Sequence, residues 1–525
     1  MDEKPVQADS IYILKKGSGR MKKKALVIGA GLAGMSAAIR LTADGYDVKI
    51  IEKNSNVGGK LNRREGKGFT FDTGPSILTM PWVLEQLFSS VHRRIEDYIT
   101  IERIEPQWRT FFEDGVQLDV TSDLPTMIDE MKKVSGNTDA SISELINYSE
   151  KMYDLCMKSF YKYSLADLKD LKKYHTLKDL MSMDPLNTVA EGTKKKLNNK
   201  HLEQLFNFFV MYVGSNPYQA PAILNQLIYV QLGLGIHYVK GGMYNIAIGM
   251  KKLLDELRVD VQLNSPVDHL VFEGKTVTGV RTTDGTLHEA DIVVSNLEAI
   301  PAYRNLVPHK EGKKEAKKLN KTFVPSVSGL VLLLGVDRQF TNLKHHNFFF
   351  SEDPEKEFSD IFEKGIPSDD PTVYVGISSR SDDSQAPAGK DNLFVLTHVP
   401  PLKEGDQGKY DWAEYRELVL DKLERMGAKG LRDSIEFEYR FTPEDLEELY
   451  GPNGGSIYGI ASDKKKNGGF KIPAKSELYE NLYFVGGSTH PGGGVPMVTL
   501  SGQLTADLIK RNEEGTLVNS KVKHA

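Results

Sequence analysis

Six consecutive residues, Gly29-Ala30-Gly31-Leu32-Ala33-Gly34, set three glycines at the G-x-G-x-x-G spacing. In a turn from strand to helix the first glycine permits the tight bend and the second lets backbone approach a pyrophosphate. The third lets the helix pack closely on the strand. The helix then aims its unpaired N–H groups and positive dipole end at the phosphates, with no lysine required. Glu52 stands about 20 residues further on, where an acidic side chain accepts hydrogen bonds from ribose hydroxyls. This arrangement is suited to binding an adenine dinucleotide.

The residues after Glu52 distinguish a flavin from a nicotinamide. In Glu52-Lys53-Asn54-Ser55-Asn56-Val57-Gly58-Gly59-Lys60 a second glycine pair allows another backbone approach, toward the phosphate and ribityl region of a longer cofactor. A bare nicotinamide site has no need of it. Near the other end of the chain, Phe484-Val485-Gly486-Gly487-Ser488-Thr489-His490-Pro491-Gly492-Gly493-Gly494-Val495-Pro496 suggests a return to the far end of that cofactor. A helix beginning near Met497 would direct its N-terminus at the charge that builds around N1 and the C2 carbonyl of a reduced flavin. The expected cofactor is FAD. No metal is expected, because the histidines lack the paired, close spacing of metal ligands.

The elements needed to position these residues are legible around them. Ala25-Leu26-Val27-Ile28 is an apolar run suited to a central parallel strand, Met35 to Ala43 has helical spacing, Gly45 ends that helix, and Val48-Lys49-Ile50-Ile51-Glu52 forms a second strand. Residues 81–232 read as a mainly helical segment facing substrate or membrane. Strand character returns at Val259 to Leu263, at Thr276 to Arg281 and at Glu289 to Asn296, with Asp284-Gly285 as a hairpin turn. Leu482 to Val485 is a further strand, followed by a helix from about Val498 to Arg511. The expected fold is α/β, a Rossmann-type FAD-binding domain with an inserted mixed, partly helical substrate domain. The cofactor domain is assembled from residues 21–80, 233–299 and 480–512, the substrate domain spans 300–479 in addition to 81–232, and residues 1–20 and 513–525 read as tails.

Composition narrows the function. A chain of 525 residues exceeds one hydrophobic core and has room for a buried cofactor and a buried ligand. A formal net charge of -5 argues against a nucleic-acid binder. The single cysteine, Cys156, excludes an intrachain disulfide and fits a reducing cytoplasmic compartment as a small buried apolar residue. Apolar stretches such as Gly329 to Val336 are too short to span a bilayer, and the first twenty residues lack the apolar core of a secretion signal, so that Met21 is a candidate start.

The glycine fingerprint, Phe71-Asp72-Thr73-Gly74-Pro75-Ser76, Tyr238-Val239-Lys240-Gly241-Gly242-Met243 and the terminal glycine motif together resemble the phytoene-desaturase-like family of carotenoid-oxidising flavoenzymes. The resemblance runs from about Lys23 to Lys510. Gly74 to Pro81, Gln107-Trp108-Arg109, Ser295 to Pro301, His345 to Phe350 and Asp463-Lys464-Lys465-Lys466-Asn467 are similar to its 4,4'-diaponeurosporene oxygenase branch. Thr489-His490-Pro491 and Gly241-Gly242-Met243-Tyr244 are similar to the sister desaturases as well.

This resemblance implies oxidation of a C30 carotenoid, its terminal methyl group going to an aldehyde or beyond after loss of a hydride to flavin. Such a substrate gives an acid–base pair little to grip, so orientation against the flavin supplies most of the catalysis, and no catalytic side chain is assigned. The candidate cofactor contacts are Gly29, Gly31, Ala33, Gly34, Glu52, Lys53, Gly58, Gly59, Lys60, Gly74, Pro75, Ser76, Val267, Gly486, His490, Pro491, Gly494, Val495 and Met497. Phe206 to Phe209 and Phe348 to Phe350 could line a tunnel or belong to the core. His345 and His346 read as tunnel-mouth or surface residues, and Arg109 as a cofactor contact or the partner of an acid. A water-insoluble substrate is collected from a bilayer. The lysine clusters 194–196, 313–318 and 464–466 could therefore meet anionic lipid on the inner face of the cell membrane, or be a solvated face. The alternatives are a carotenoid desaturase and a non-catalytic isoprenoid carrier on the same fold; a nicotinamide dehydrogenase or an amine oxidase fits the later motifs poorly. The sequence does not reveal the oligomeric state.

Overall fold

The computed structural model describes residues 22–135 and 139–523; the expected N-terminal tail, residues 1–20, and Met21 lie outside them. The chain opens with β1 (Lys24–Ile28), α1 (Leu32–Ala43) and β2 (Asp47–Ile51). Ala25 to Ile28 are all buried, as a strand covered on both faces demands. A five-stranded parallel sheet forms around them in the order Leu482–Phe484, Ile292–Ser295, β1, β2, Asp260–Gln262. Val27 sits in register between Ile50 on one side and Val294 on the other. Strands distant in sequence thus complete one Rossmann-type sheet, as expected from the sequence.

A second, seven-stranded mixed sheet runs in the order Ile435–Phe441, Ser328–Val336, Asp391–Val399, Val373–Gly376, His346–Phe349, Trp108–Phe111, Gln117–Val120. The last two strands come from the segment read as mainly helical and correct that reading for residues 108–120. Asp114-Gly115 forms their turn, with Gly115 at φ +83°, and is the same dipeptide signal that marks the Asp284-Gly285 hairpin. The expected strand from Glu289 to Asn296 is divided. Leu287–Glu289 pairs in a small antiparallel sheet, whereas Ile292–Ser295 crosses into the parallel one. The C-terminal helix runs Val495–Lys523, so residues 513–523 of the expected 513–525 tail continue it, and 524–525 lie outside the described residues.

Two contacts lock the pieces together. Asp72 accepts hydrogen bonds from the backbone N–H groups of Met243 (2.8 Å) and Tyr244 (2.9 Å), joining the Phe71 to Ser76 motif to the Tyr238 to Met243 motif. Its carboxyl is pushed up to about 6 by burial, against the pull of those two donors and of Arg63. The C-terminal helix lies against α1 at Gly502, where an added Cβ would sit 2.4 Å from Ala33 O and 2.7 Å from Ala37 N. Ser36 Oγ donates to Thr499 O across the same seam at 2.6 Å. Alanine gains about 1 kcal/mol over glycine inside a helix, but here it would force two backbones apart. Gly502→Ala is expected to lose stability by about 1–3 kcal/mol, read as a lower denaturant midpoint; an unchanged or raised midpoint contradicts the close seam.

Candidate functional site

The site begins where β1 ends. Gly29 turns the chain at φ +95°, and its N–H donates to Ile51 O of β2 at 2.8 Å. Gly31 is the N-cap of α1 and offers no side chain to the first turn, leaving those N–H groups available to an anion. Gly34 is a packing residue, since a Cβ there would lie 2.1 Å from Gly29 O. The second glycine pair comes directly alongside. Gly58 N–H donates to Ala30 O at 2.8 Å, Gly31 and Gly58 form a β-bridge, and a Cβ on Gly59 would stand 3.3 Å from Gly31 Cα. Glu52 is buried and accepts from Ala30 N–H (2.7 Å) and Asn54 N–H (2.9 Å), so its carboxylate also orders the loop that it was expected to serve.

From this loop a cavity of about 1060 Å³ runs into the molecule. Its wall includes Gly29, Gly31, Ala33, Glu52, Lys53, Gly58, Gly59, Lys60, Gly74, Pro75, Ser76 and Val267, then Gly486, Pro491, Gly494, Val495 and Met497. Gly34 and His490 are absent from the wall. His490 has Nε2 2.7 Å from Phe160 O and its ring against that of Phe160, and burial lowers it to about 4, so it is a neutral packing residue behind that wall residue. Lys60 is tied to Glu298 (3.3 Å) and Ser456 O (2.8 Å), and Lys53 to Glu448 O (3.0 Å). Asn296, which the sequence places only within the Ser295 to Pro301 segment and not among the cofactor contacts, sits at the centre: its side chain faces Gly29, Gly31, Gly34 and Gly486. The C-terminal helix starts at Val495, two residues before the expected Met497, and Val495 to Val498 form part of the wall.

Beyond the terminal glycines the cavity becomes apolar and aromatic. Phe348 pairs in register with Tyr374, Tyr374 with Leu396, and Leu396 with Val331, so that one cross-strand row of the mixed sheet faces the cavity. Phe394 and His398, two residues either side of Leu396, share its face. Trp108 lies 4.1 Å from Phe348 between ring centres and 5.7 Å from Tyr212, and Tyr458 stands 6.3 Å from His398. The two phenylalanine stretches divide accordingly. Phe208 and Phe348 are on the wall, while Phe206, Phe209, Phe349 and Phe350 are core. Cys156 is on the wall as a buried thiol pushed up to about 12, hence neutral.

Two expectations change with burial. His345 and His346 are neither surface nor mouth residues; both are buried and held neutral by desolvation, His345 at about 3. His346 Nδ1 is 2.7 Å from Tyr374 OH, which also receives Ser76 Oγ at 2.8 Å, so the ring reaches the cavity only through that tyrosine. Arg109 forms a bidentate pair with Asp119 at 2.7 Å per arm and donates to Asn342 O; it is the partner of an acid and is not on the cavity wall.

The model of the family "flavin containing amine oxidoreductase" matches residues 32–510. The chain belongs to the flavin-containing amine oxidoreductase family. It is 42% identical over 493 residues to a 4,4'-diaponeurosporene oxygenase of Staphylococcus haemolyticus (strain JCSC1435), covering 94% of this chain and 98% of that protein. It is 41% identical over 494 residues to the 4,4'-diaponeurosporene oxygenase of Staphylococcus aureus (strain MSSA476), covering 94% and 99%. An oxidoreductase structure from Methanosarcina mazei shares the fold with a TM-score of 0.59 at 18% identity, covering 91% of this chain and 98% of that one. The protein is a flavin-dependent oxidoreductase, and its residues fit such a cofactor: backbone N–H groups and a helix without a side-chain cap at one end, and glycines with no room for a side chain along the wall. Gly58 is a position poorly able to carry a side chain, with φ +108° and an added Cβ only 2.2 Å from Leu61 O. Gly58→Ala is expected to lower the flavin retained per mole of purified protein at least about tenfold, the equivalent of roughly 1.4 kcal/mol. Gly45→Ala, at φ +93° but with nothing within 4 Å, is the control for backbone strain alone; equal retention in both variants contradicts the assignment of the passage.

Proposed function

We propose that the protein is an FAD-dependent oxygenase of C30 carotenoids that converts a terminal methyl group, of 4,4'-diaponeurosporene or diapolycopene, to the aldehyde. The observation that carries the reading is a single cavity with two chemically different ends, a polar backbone cradle suited to a dinucleotide and an aromatic, carbon-lined slot suited to a long hydrocarbon. The names of relatives that match nearly the full chain support the substrate class. When bound, the flavin supplies an acceptor for a hydride from an allylic C–H. The protein's own residues do the rest. The row Phe348, Tyr374, Leu396 and Val331 holds the polyene in one orientation and excludes bulk water from the allylic carbon. Ser76 and Tyr374 carry hydroxyls on that wall, and these are engaged with each other, Ser76 Oγ donating to Tyr374 OH.

Substrate entry belongs to the same proposal. Among the described residues no helix is long and apolar enough to cross a membrane. Leu177 and Leu186 are 77% and 78% exposed, Met181 58% and Leu168 51%, all within one short stretch, and Leu168 and Met181 also line the cavity. Lys464 lies on the same rim and donates to Leu186 O, bringing the 464–466 cluster beside these apolar residues. The other two clusters are off the cavity wall, and in them Lys196 pairs with Glu144 and Lys318 with Glu315. The rim therefore fits a membrane surface on the cytoplasmic side, leucines in the acyl boundary and lysines at anionic headgroups.

Two experiments test this. Flavin-loaded protein given C30 carotenoid in vesicles is expected to yield product that has gained an oxygen, with labelled dioxygen distinguishing insertion from addition of water; product that has only lost hydrogens overturns the oxygenase reading in favour of desaturation. In vesicle flotation, Leu177→Asp with Leu186→Asp is expected to cut recovery of protein with lipid at least about tenfold, from the roughly 1.5–3 kcal/mol that each buried leucine contributes. Lys465→Ala with Lys466→Ala is expected to weaken binding to acidic vesicles alone. Flotation unchanged by either pair rules out this rim as the docking face.

A further inference from the structure

Lys471 is the one buried lysine on the cavity wall among the described residues. It is 3% exposed, and its Nζ donates to Ile460 O and to Ser462 Oγ at 2.9 Å. Two neutral acceptors leave a third N–H and the whole charge without an answer. No carboxylate oxygen among the described residues comes within ion-pair distance of it, although buried ammonium groups are ordinarily paired. Its Cε stands 3.0 Å from where a Cβ on Gly492 would be, and Pro491, Gly493, Gly494 and Val495 share the wall with it, so the ammonium lies against the loop that leads into the C-terminal helix. The neighbouring ionisable groups do not neutralise it. His490 on that loop is uncharged, Asp463 is occupied by the N–H groups of Lys465 and Lys466, Lys464 has the same sign, and Asp170 is paired with Lys173.

Burial of an unpaired charge is costly, and strongly perturbed titratable groups in a cleft cluster at functional sites. We propose that Lys471 is the counter-charge for the anion created when the flavin is reduced, taking up a proton from solvent as that anion appears and releasing it on reoxidation. The inference rests on the flavin reading. The balance is simple: the hydride brings two electrons and one proton to the cofactor and leaves it with one negative charge, and the Lys471 amine plus one solvent proton becomes the ammonium opposite it. Reoxidation removes the anion and returns the proton. Desolvation lowers Lys471 to about 7, so near neutral pH the amine and the ammonium are both populated before the anion forms, and a facing anion shifts the balance to the ammonium. Lys471 is a group that favours reduction electrostatically, adding to the helix N-terminus at Val495.

A second reading is purely structural, the lysine serving only to bind Ile460 O and Ser462 Oγ, and the two readings separate cleanly. The midpoint potential of the flavin-loaded protein would be measured from pH 6 to pH 9 for wild type, Lys471→Met and Lys471→Arg. One additional proton taken up per two electrons steepens the potential by about 30 mV per pH unit. Wild type is expected to show that extra slope above neutral pH, Lys471→Met to lose it and to be reduced at least about tenfold less favourably at pH 6, and Lys471→Arg to keep the high potential without the extra slope. Potentials of Lys471→Met that follow wild type at every pH overturn the proposal while leaving the flavin reading intact; a wild-type protein that retains no flavin defeats the reading itself. Carbon-13 NMR of wild type labelled at lysine Cε needs no variant to fold. One lysine is expected to titrate near neutrality in the oxidised protein and at distinctly higher pH in the reduced one, and identical titrations in the two forms overturn the proposal.

Discussion

Between β1 and α1 the backbone of Gly31 passes the backbone of Gly58 closely enough to form a bridge, and the rest of the site is placed by that contact. A side chain at Gly31 would collide with Asn296, and one at Gly58 with Leu61 O, so neither strand of the bridge has room for one. With them together, Glu52 reaches back to Ala30 N–H, α1 begins with its N–H groups uncovered, and Asn296, from a strand more than two hundred residues away, fits against three glycines of the first turn. Gly486 then meets the same asparagine from the far edge of the parallel sheet. The turn of Asp72 toward Met243 and Tyr244 and the seam between α1 and the C-terminal helix serve the same end, holding chain from opposite ends of the sequence around one void. A closely packed interior does not leave such a void by accident.

The two ends of the void are built on different physics. At the glycine loop the backbone itself provides the polar groups, so recognition there depends on close approach more than on side-chain charge. Along the mixed sheet the wall offers shape and apolar area, with the few polar atoms engaged: the Tyr374 hydroxyl lies between Ser76 Oγ and His346 Nδ1, and the histidines are neutral because water is excluded from them. Against that background Lys471 stands out, a buried amine whose charged form the surroundings disfavour.

The sequence revealed the parts of the site whose chemistry is local. Glycines at fixed spacing, a strand before them, a helix after them and an acidic residue at the end of the next strand all act within one βαβ unit, so their identities carry their roles. It was less informative where position depends on long-range pairing. Trp108-Arg109-Thr110-Phe111 lies in a segment, residues 81–232, that folds mainly as helix, and the Asp114-Gly115 turn is the local mark of its hairpin. Phe348, Tyr374, Leu396 and Val331 come from four strands whose register no local pattern fixes, so their common face could not be read in advance. His345, His346 and His490 were ambiguous because a histidine's role follows from burial, which depends on tertiary context. Asn296 belongs only to the Ser295 to Pro301 segment, with no role of its own legible there, and Lys471 lies in no motif. Each matters through what stands next to it, a crowd of glycines in one case and the lack of a carboxylate in the other.

The central claim is that cofactor and hydrocarbon share one cavity and meet at the closing glycine loop. An experimental structure of the protein with flavin and a C30 carotenoid both bound tests it most directly. The pyrophosphate is expected at Gly29 and Gly31, the flavin ring beside Gly494 and Val495, and one end of the polyene between that ring and the row formed by Phe348 and Tyr374. A ring lodged elsewhere, or a polyene bound outside this cavity, would contradict the claim.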